Sequence, residues 1–280
     1  MAFSSPFYYI NVPVAEMREK SQQDSEVVSQ AFFSEAVNAL ENEGDWIKIE
    51  TLVDKYQGWI KKAALCQRQK PYPPLSSPFS ASSKVNRCAA HVYHLQDTTY
   101  GPIFTLPFES QLECSEYIQD SNSRWIKISL PDGRTGYIQR GDVTFDCRLL
   151  NREEMCNLSL SFLGLPYTWG GRSSFGYDCS GFVQMLYRQR GVYLPRDSKE
   201  QILCEEFTPI SVENLLPGDL IFFGLSEDKI RHVGMSLGDN QFIHSTVQEN
   251  APYIRISKLS DPEWNGSGTY SYRALLHCQT

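Results

Sequence analysis

The chain has 280 residues, 41% of them hydrophobic and 21% charged, the makeup of an ordinary soluble globular protein with room for two or three domains. Its formal net charge of −7 argues against a nucleic-acid binder, which carries a basic face. No apolar run approaches the roughly 18–20 residues of a membrane span.

The N-terminal stretch MAFSSPFYYINVPVAEMREK lacks a basic segment followed by a long apolar run and does not read as a signal peptide, so a cytoplasmic protein is expected. The cysteines stand at 66, 88, 114, 147, 156, 179, 204 and 278, and no two form C-x-x-C. That pattern suggests neither zinc nor a redox dithiol. Without an export signal, free thiols are expected rather than disulfides. Neither metal nor cofactor is called for.

One internal repeat is visible. GDWIKIETLVDKYQGWIKKAAL (44–65) matches SRWIKISLPDGRTGYIQRGDV (123–143), each reading Trp-Ile-Lys-Ile, a polar turn, then Gly-aromatic-Ile. Ile47 and Ile49 alternate with Lys48 and Glu50, as Ile126 and Ile128 do with Lys127 and Ser129. Such alternation around a Gly-bearing turn predicts a half-buried hairpin. Each copy closes a stretch of short strands, which suggests a small β-barrel over 1–69 and a second over 84–150. The stretch between, 70–83, is rich in Pro and Ser and reads as a linker.

From about residue 151 the texture changes. REEMCNLSLSFLG predicts a helix with acids in its first turn and Gly164 after its end. A second helix is predicted over 179–190, and Asp197 or Ser198 would cap a third. Strands are predicted at 219–224, 232–237, 241–246 and 253–257. Helices first and antiparallel strands after indicate an α+β domain over 151–280.

Asp178 suits the N-cap of the second helix, which puts Cys179 in its first turn. Unpaired backbone N–H groups and the positive end of the helix dipole favour a thiolate there and offer oxyanion donors. A nucleophilic thiol still needs a base and a group to orient that base. Of five histidines, His91 and His94 fall in the second repeat with no acid or cysteine at ligand spacing, and His277 lies near the end. His232 and His244 fall on successive strands of the domain that holds Cys179. A three-residue loop, Gly238-Asp239-Asn240, would place His232 opposite Thr246 and bring the two imidazoles together on one face. A loop of even length would place them on opposite faces.

The stretch LPYTWGGRSSFGYDCSGFVQMLYRQRGVYLPRDSKEQ, followed by LLPGDLIFFG and RHVGMSLGDNQFIHS, resembles the NlpC-type cell-wall cysteine peptidases. The two repeats look like bacterial SH3-like domains, and the order of parts resembles the γ-D-glutamyl-L-diamino acid endopeptidases. The resemblance implies an α+β, papain-like catalytic domain preceded by two small SH3-like β-barrels. It implies Cys179 as nucleophile, His232 as base and His244 as the orienting third member. Tyr167 would assist the oxyanion, and Trp169 would wall the pocket. Asp178, Ser180 and Ser198 would hold the amine and the D-glutamate carboxylate of the substrate. In the first SH3-like domain, Glu26 or Glu35 together with Tyr56 would grip a free N-terminal L-alanine.

The implied reaction is hydrolysis of the bond from γ-D-glutamate to diaminopimelate or lysine in peptidoglycan stem peptides, in recycling of peptides already freed from the wall. The rival readings are a wall-anchored hydrolase of intact peptidoglycan, a non-catalytic peptidoglycan-binding module, and, more weakly, a Cys–His acyltransferase.

Overall fold

A computed structural model describes residues 7–73, 81–114, 123–266 and 268–279. The chain divides into two compact units, Met1–Arg148 with Ser173–Phe175, and Leu149–Arg172 with Gly176–Thr280.

The first unit is all β. Among the described residues its first half forms one antiparallel seven-stranded sheet. The strand order is Val27–Phe32, Val14–Arg18, Gln57–Lys61, Trp46–Thr51, Ala36–Glu43, Phe7–Ile10, Leu65–Arg68. The second half repeats this order with Phe104–Pro107, Ala89–Tyr93, Thr135–Gln139, Trp125–Ser129, Gln111–Cys114, Ala81–Val85 and Val143–Thr144. The similarity seen over one hairpin is therefore a duplication of the whole topology.

In both hairpins the isoleucines point inward: Ile47 pairs with Ile60, and Ile126 with Ile138. The glycine shared by the two copies sits inside the second strand, not in the turn as the sequence suggested. A Cβ on Gly58 would stand 2.9 Å from Met17 Cβ, and one on Gly136 would stand 2.7 Å from Val92 Cγ1. The neighbouring strand crosses too closely for any side chain.

Each sheet buries its own apolar cluster, one around Ile10, Met17, Ile49 and Ile60, the other around Val85, Val92, Leu106 and Ile138. Phe33 leaves the first sheet to join the second cluster, 5.8 Å from the Phe104 ring. Of the expected linker, residues 74–80 lie outside the described residues. Its flanks are more ordered than the Pro/Ser composition suggested. Residues 81–83 belong to a strand, and Tyr72 is buried. The Tyr72 amide donates to the Tyr9 hydroxyl at 2.8 Å, and the Tyr72 hydroxyl donates to the Ser129 carbonyl at 2.8 Å. One side chain thus ties the two repeats.

The second unit is α+β, as the sequence indicated. Asn151 caps α1 (Arg152–Leu160) with a complete capping box, exchanging bonds with Glu154. Helix α2 (Cys179–Arg188) is buried from Cys179 through Tyr187. Burial of side chains such as Phe182, Val183 and Leu186 contributes about 1.5–3 kcal/mol each. The predicted third helix is a single turn, α3 (Ser198–Gln201), with Asp197 at its N-cap but no side-chain cap bond.

Among the described residues the sheet of this unit is antiparallel, in the order Phe207–Pro209, Tyr272–Cys278, Leu220–Gly224, Ile230–Gly238, Gln241–Thr246, Tyr253–Lys258. Two of these strands, Phe207–Pro209 and Tyr272–Cys278, were not predicted. No helix among the described residues is long and apolar enough to cross a membrane.

Tyr72→Phe removes the hydroxyl that meets the Ser129 carbonyl and the Glu113 amide. Two part-buried backbone groups lose this partner, and the first unit is expected to lose about 1–3 kcal/mol, measured by denaturant unfolding of the full chain.

Candidate active site

The site is built around the start of α2. The Asp178 side chain accepts from the Gly181 amide at 2.7 Å, which starts the helix and fixes Cys179 at its first position. The same carboxylate is gripped by Arg196, with Nη2 to Oδ2 at 2.6 Å and Nη1 to Oδ1 at 3.1 Å. Arg196 Nη1 also donates to Ser180 Oγ at 2.9 Å, and Ser180 Oγ donates to Asp178 Oδ1 at 3.1 Å. Oδ1 is therefore saturated, and Oδ2 keeps room for one further donor. Arg196 was not predicted from sequence, because the pairing spans 18 residues and a charged residue among loop prolines carries no signal of burial.

The thiol of Cys179 is 9% exposed. Burial pushes its pKa up to about 12, and the Asp178 charge adds to the rise. The backbone N–H groups of Val233 and Ser180 and the charge of Arg196 pull it the other way without reversing it. The sequence reasoning expected a lowered thiol pKa from the helix start alone. Burial in the structure therefore works against the thiolate that the helix start favours.

His232 and His244 come together. Met235 pairs with Ile243 and Ser236 with Phe242, a register that sets His232 opposite Thr246. The turn itself has only two residues, Asp239 and Asn240, both with positive φ. A bulge between Ser236 and Gly238 restores the odd spacing that the shared face requires. His232 Nε2 lies 2.7 Å from His244 Nδ1, and His244 Nε2 lies 3.0 Å from Ser257 Oγ. With Ser257 accepting from His244 Nε2–H, His244 Nδ1 accepts from His232 Nε2–H. That tautomer leaves His232 Nδ1 as the open acceptor. Gly234 makes room for this pair, because a Cβ there would stand 2.7 Å from Phe242 Cδ2 and 3.1 Å from His244 Cβ.

Burial pushes the His232 pKa down to about 3, helped by the Arg255 charge. Burial also carries His244 well below its usual range, with the charges of His232 and Arg255 adding to it. Tyr167 is half-buried, and burial keeps its hydroxyl protonated, with the charges at Cys179 and Asp178 adding to that effect. Tyr270 is raised in the same way by burial, and the Cys179 charge also raises it, so a second phenol stands within electrostatic reach of the thiol.

The remaining predicted residues are placed as follows. Ser198 opens α3 and is half-buried, and Trp169 is 65% exposed. Glu26 lies exposed in the first unit just before the Val27–Phe32 strand, and Glu35 is half-buried before Ala36–Glu43. Tyr56 packs against the first apolar cluster. His91 hydrogen-bonds Thr105, and His277 hydrogen-bonds Asp219, so neither joins the histidine pair. Among the described residues no group of three or more His, Cys, Asp or Glu is placed to hold a metal.

Residues 164–271 match the NlpC/P60 family model, and residues 17–65 match that of the bacterial dipeptidyl-peptidase SH3 domain. The chain is 29% identical to a γ-D-glutamyl-L-lysine dipeptidyl-peptidase of Bacillus cereus, over 86% of this chain and 74% of that protein. It is 26% identical to dipeptidyl-peptidase 6 of Lysinibacillus sphaericus, over 89% and 90%. The crystal structure of an NlpC/P60 family protein from Bacillus cereus shares the fold, with a TM-score of 0.78 at 22% identity over 98% of this chain and all of that one. The family resemblance and the fold class read from sequence both hold.

Both site histidines are neutral when folded, whereas in the unfolded chain they take a proton near pH 6.5. The unfolded state then binds more protons as the pH falls from about 6.5 toward 3, so their stabilisation is full above that window and is lost within it. Unfolding free energy is expected to fall by up to about 1.4 kcal/mol per pH unit for each histidine. Urea titrations between about pH 6.5 and 5, above the carboxylate range, check this, and a His232→Gln/His244→Gln protein is expected to show a flatter dependence.

Proposed function

We propose that the chain, whose residues 164–271 match the NlpC/P60 family model, hydrolyses the bond between the γ-carbonyl of D-glutamate and a diamino acid. The substrates are peptidoglycan stem peptides with a free N-terminal L-alanine, taken after release from the wall. The observations that carry the chemistry are the relay His232–His244–Ser257 and a thiol at the start of α2 whose sulfur accepts from the amide of Val233, the residue after His232. The name of the Bacillus cereus relative, a γ-D-glutamyl-L-lysine dipeptidyl-peptidase, supports the bond.

The reaction follows from the protonation states. In the resting site the thiol and His232 are both uncharged, because burial penalises either charge alone. As Sγ attacks the γ-carbonyl carbon, its proton passes to His232 Nδ1, and the carbonyl π electrons move onto oxygen. Thiolate character and imidazolium arise together, and their attraction offsets part of the desolvation cost. The Cys179 amide and the Tyr167 hydroxyl donate to the oxyanion. Collapse breaks the C–N bond, the amine leaves with the proton from His232, and a thioester remains. His232 then takes a proton from water, which attacks the thioester; the C–S bond breaks, Sγ takes the proton back from His232, and L-alanyl-D-glutamate leaves with its γ-carboxyl free. The open position on Asp178 Oδ2 suits the α-ammonium of the substrate.

Mass spectrometry of products from L-Ala-γ-D-Glu-diaminopimelate, its lysine analogue and their N-acetylated forms tests the reading. Free tripeptide is expected to yield the dipeptide and the diamino acid, and the blocked form far less. Cys179→Ala is expected to lower kcat on the order of 10⁴-fold or more. Near-wild-type cleavage by that protein would sink the assignment, and efficient solubilisation of intact sacculi would favour a wall hydrolase instead.

A further inference from the structure

Among its described residues the segment between Leu259 and Tyr270 has no regular strand or long helix, yet it delivers Trp264, which is fully buried. Its backbone is anchored from within, with the Trp264 amide donating to the Asp261 carbonyl at 2.9 Å. The indole meets both site histidines. Its centroid lies 5.2 Å from the His232 ring at 35°, and 4.8 Å from the His244 ring at 86°. It also packs on Phe223 and Phe242 at 5.0 and 5.4 Å. On its other side Tyr270 stacks on it at 5.4 Å and 17°.

Trp264 Nε1 is buried without a hydrogen-bond partner among the described residues. A buried unpaired donor is a cost that a phenyl ring of similar shape would avoid. The indole therefore fills this place at the expense of a polar group, and what it touches is the histidine pair.

We propose that Trp264 is a positioning residue that holds His232 and His244 in their mutual hydrogen bond and keeps water off it. The inference rests on the reading of Cys179 and His232 as the reacting groups. Two rings joined by a single 2.7 Å bond have freedom about χ2, and a wall against both removes it. Excluding water strengthens that bond, since nothing competes for its donor or acceptor. The aromatic face also lies within about 6 Å of the His232 ring, where it attracts the imidazolium that forms during attack. Trp264 is 0% exposed and touches no substrate, so its removal acts on turnover and not on binding. The charged or titratable groups facing the pair, Cys179, Arg255 and Tyr270, stay unchanged in every variant below.

The test compares Trp264→Phe and Trp264→Ala with the parent by steady-state kinetics on the free tripeptide and by NMR titration of the imidazole resonances. Trp264→Phe keeps a ring and is expected to stay within about threefold in kcat. Trp264→Ala is expected to lose about 10- to 100-fold in kcat with KM little changed. Its His232 resonance is expected to titrate closer to the ordinary imidazole range than the parent's, which burial holds down. A folded Trp264→Ala protein with parental kcat and an unmoved histidine titration overturns the proposal. Should that protein not fold, Trp264→Leu fills the space without a ring, and undiminished kcat there overturns it equally. The titration needs no substrate. A peptide that goes uncleaved by the parent therefore counts against the substrate reading, while a shifted His232 resonance still supports the role of Trp264.

Discussion

The second unit depends on a buried ion pair at the head of one helix. Asp178 caps α2, and Arg196 closes on its carboxylate with two bonds, at 1% exposure for the guanidinium. A helix cap is worth about 1 kcal/mol, whereas stripping a buried carboxylate of its partner costs about 3–5 kcal/mol. The ion pair is thus the stronger constraint, and the cap is one of its consequences. Because Arg196 also binds Ser180 and stands two residues before α3, one charge pair fixes both the helix start that carries Cys179 and the approach to Ser198.

Burial, more than this pair, decides the charge state of the thiol. A helix N-terminus favours an anion by about 0.3–1 kcal/mol, reaching about 2 in partly buried sites. The rise of the Cys179 pKa from 9.0 to about 12 corresponds to about 4 kcal/mol against the thiolate. Desolvation therefore wins, and Asp178 acts on the same side. The Arg196 charge pulls the other way. A site of this kind keeps its proton until substrate arrives, then moves it a short way to a histidine that is equally reluctant to be charged alone. Neither group is poised by its own pKa, and the fold seats the Cys179 sulfur on the amide of Val233, the residue after His232.

Much of this was legible in the sequence where the signal is local. Asp178 before an apolar helix, the Trp-Ile-Lys-Ile hairpins and the alternation around His232 and His244 each lie within a few residues of what they predict. The duplication was legible over one hairpin, although it spans seven strands, because the other strands share topology without sharing residues. What was missed is non-local. The strand Tyr272–Cys278 lies between Phe207–Pro209 and Leu220–Gly224, and the run YRALLHC shows no clean alternation. Ser257 gains its role only from the pairing of Gln241–Thr246 with Tyr253–Lys258. Arg196 and Trp264 read as surface and loop residues until the fold buries them.

The glycines around Cys179 follow from the same geometry. The Gly171 carbonyl accepts from the Asp178 amide at 3.0 Å, with Arg196 Nη2 at 3.5 Å from it. A Cβ on Gly181 would overlap that carbonyl, one on Gly171 would overlap the Gly176 carbonyl, and one on Gly176 would overlap Thr168 Oγ1. Three side chains are therefore absent so that two backbone segments can press together under the start of α2. Any methyl group there would part the segment Pro166–Gly171 from Tyr177–Asp178, which are joined by the Thr168 amide on the Tyr177 carbonyl and the Tyr177 amide on the Pro166 carbonyl. Tyr167 rides on the first segment and Cys179 follows the second. The glycines of PYTWGG and GYDCSG let the segment that carries Tyr167 lie against the one that leads to Cys179.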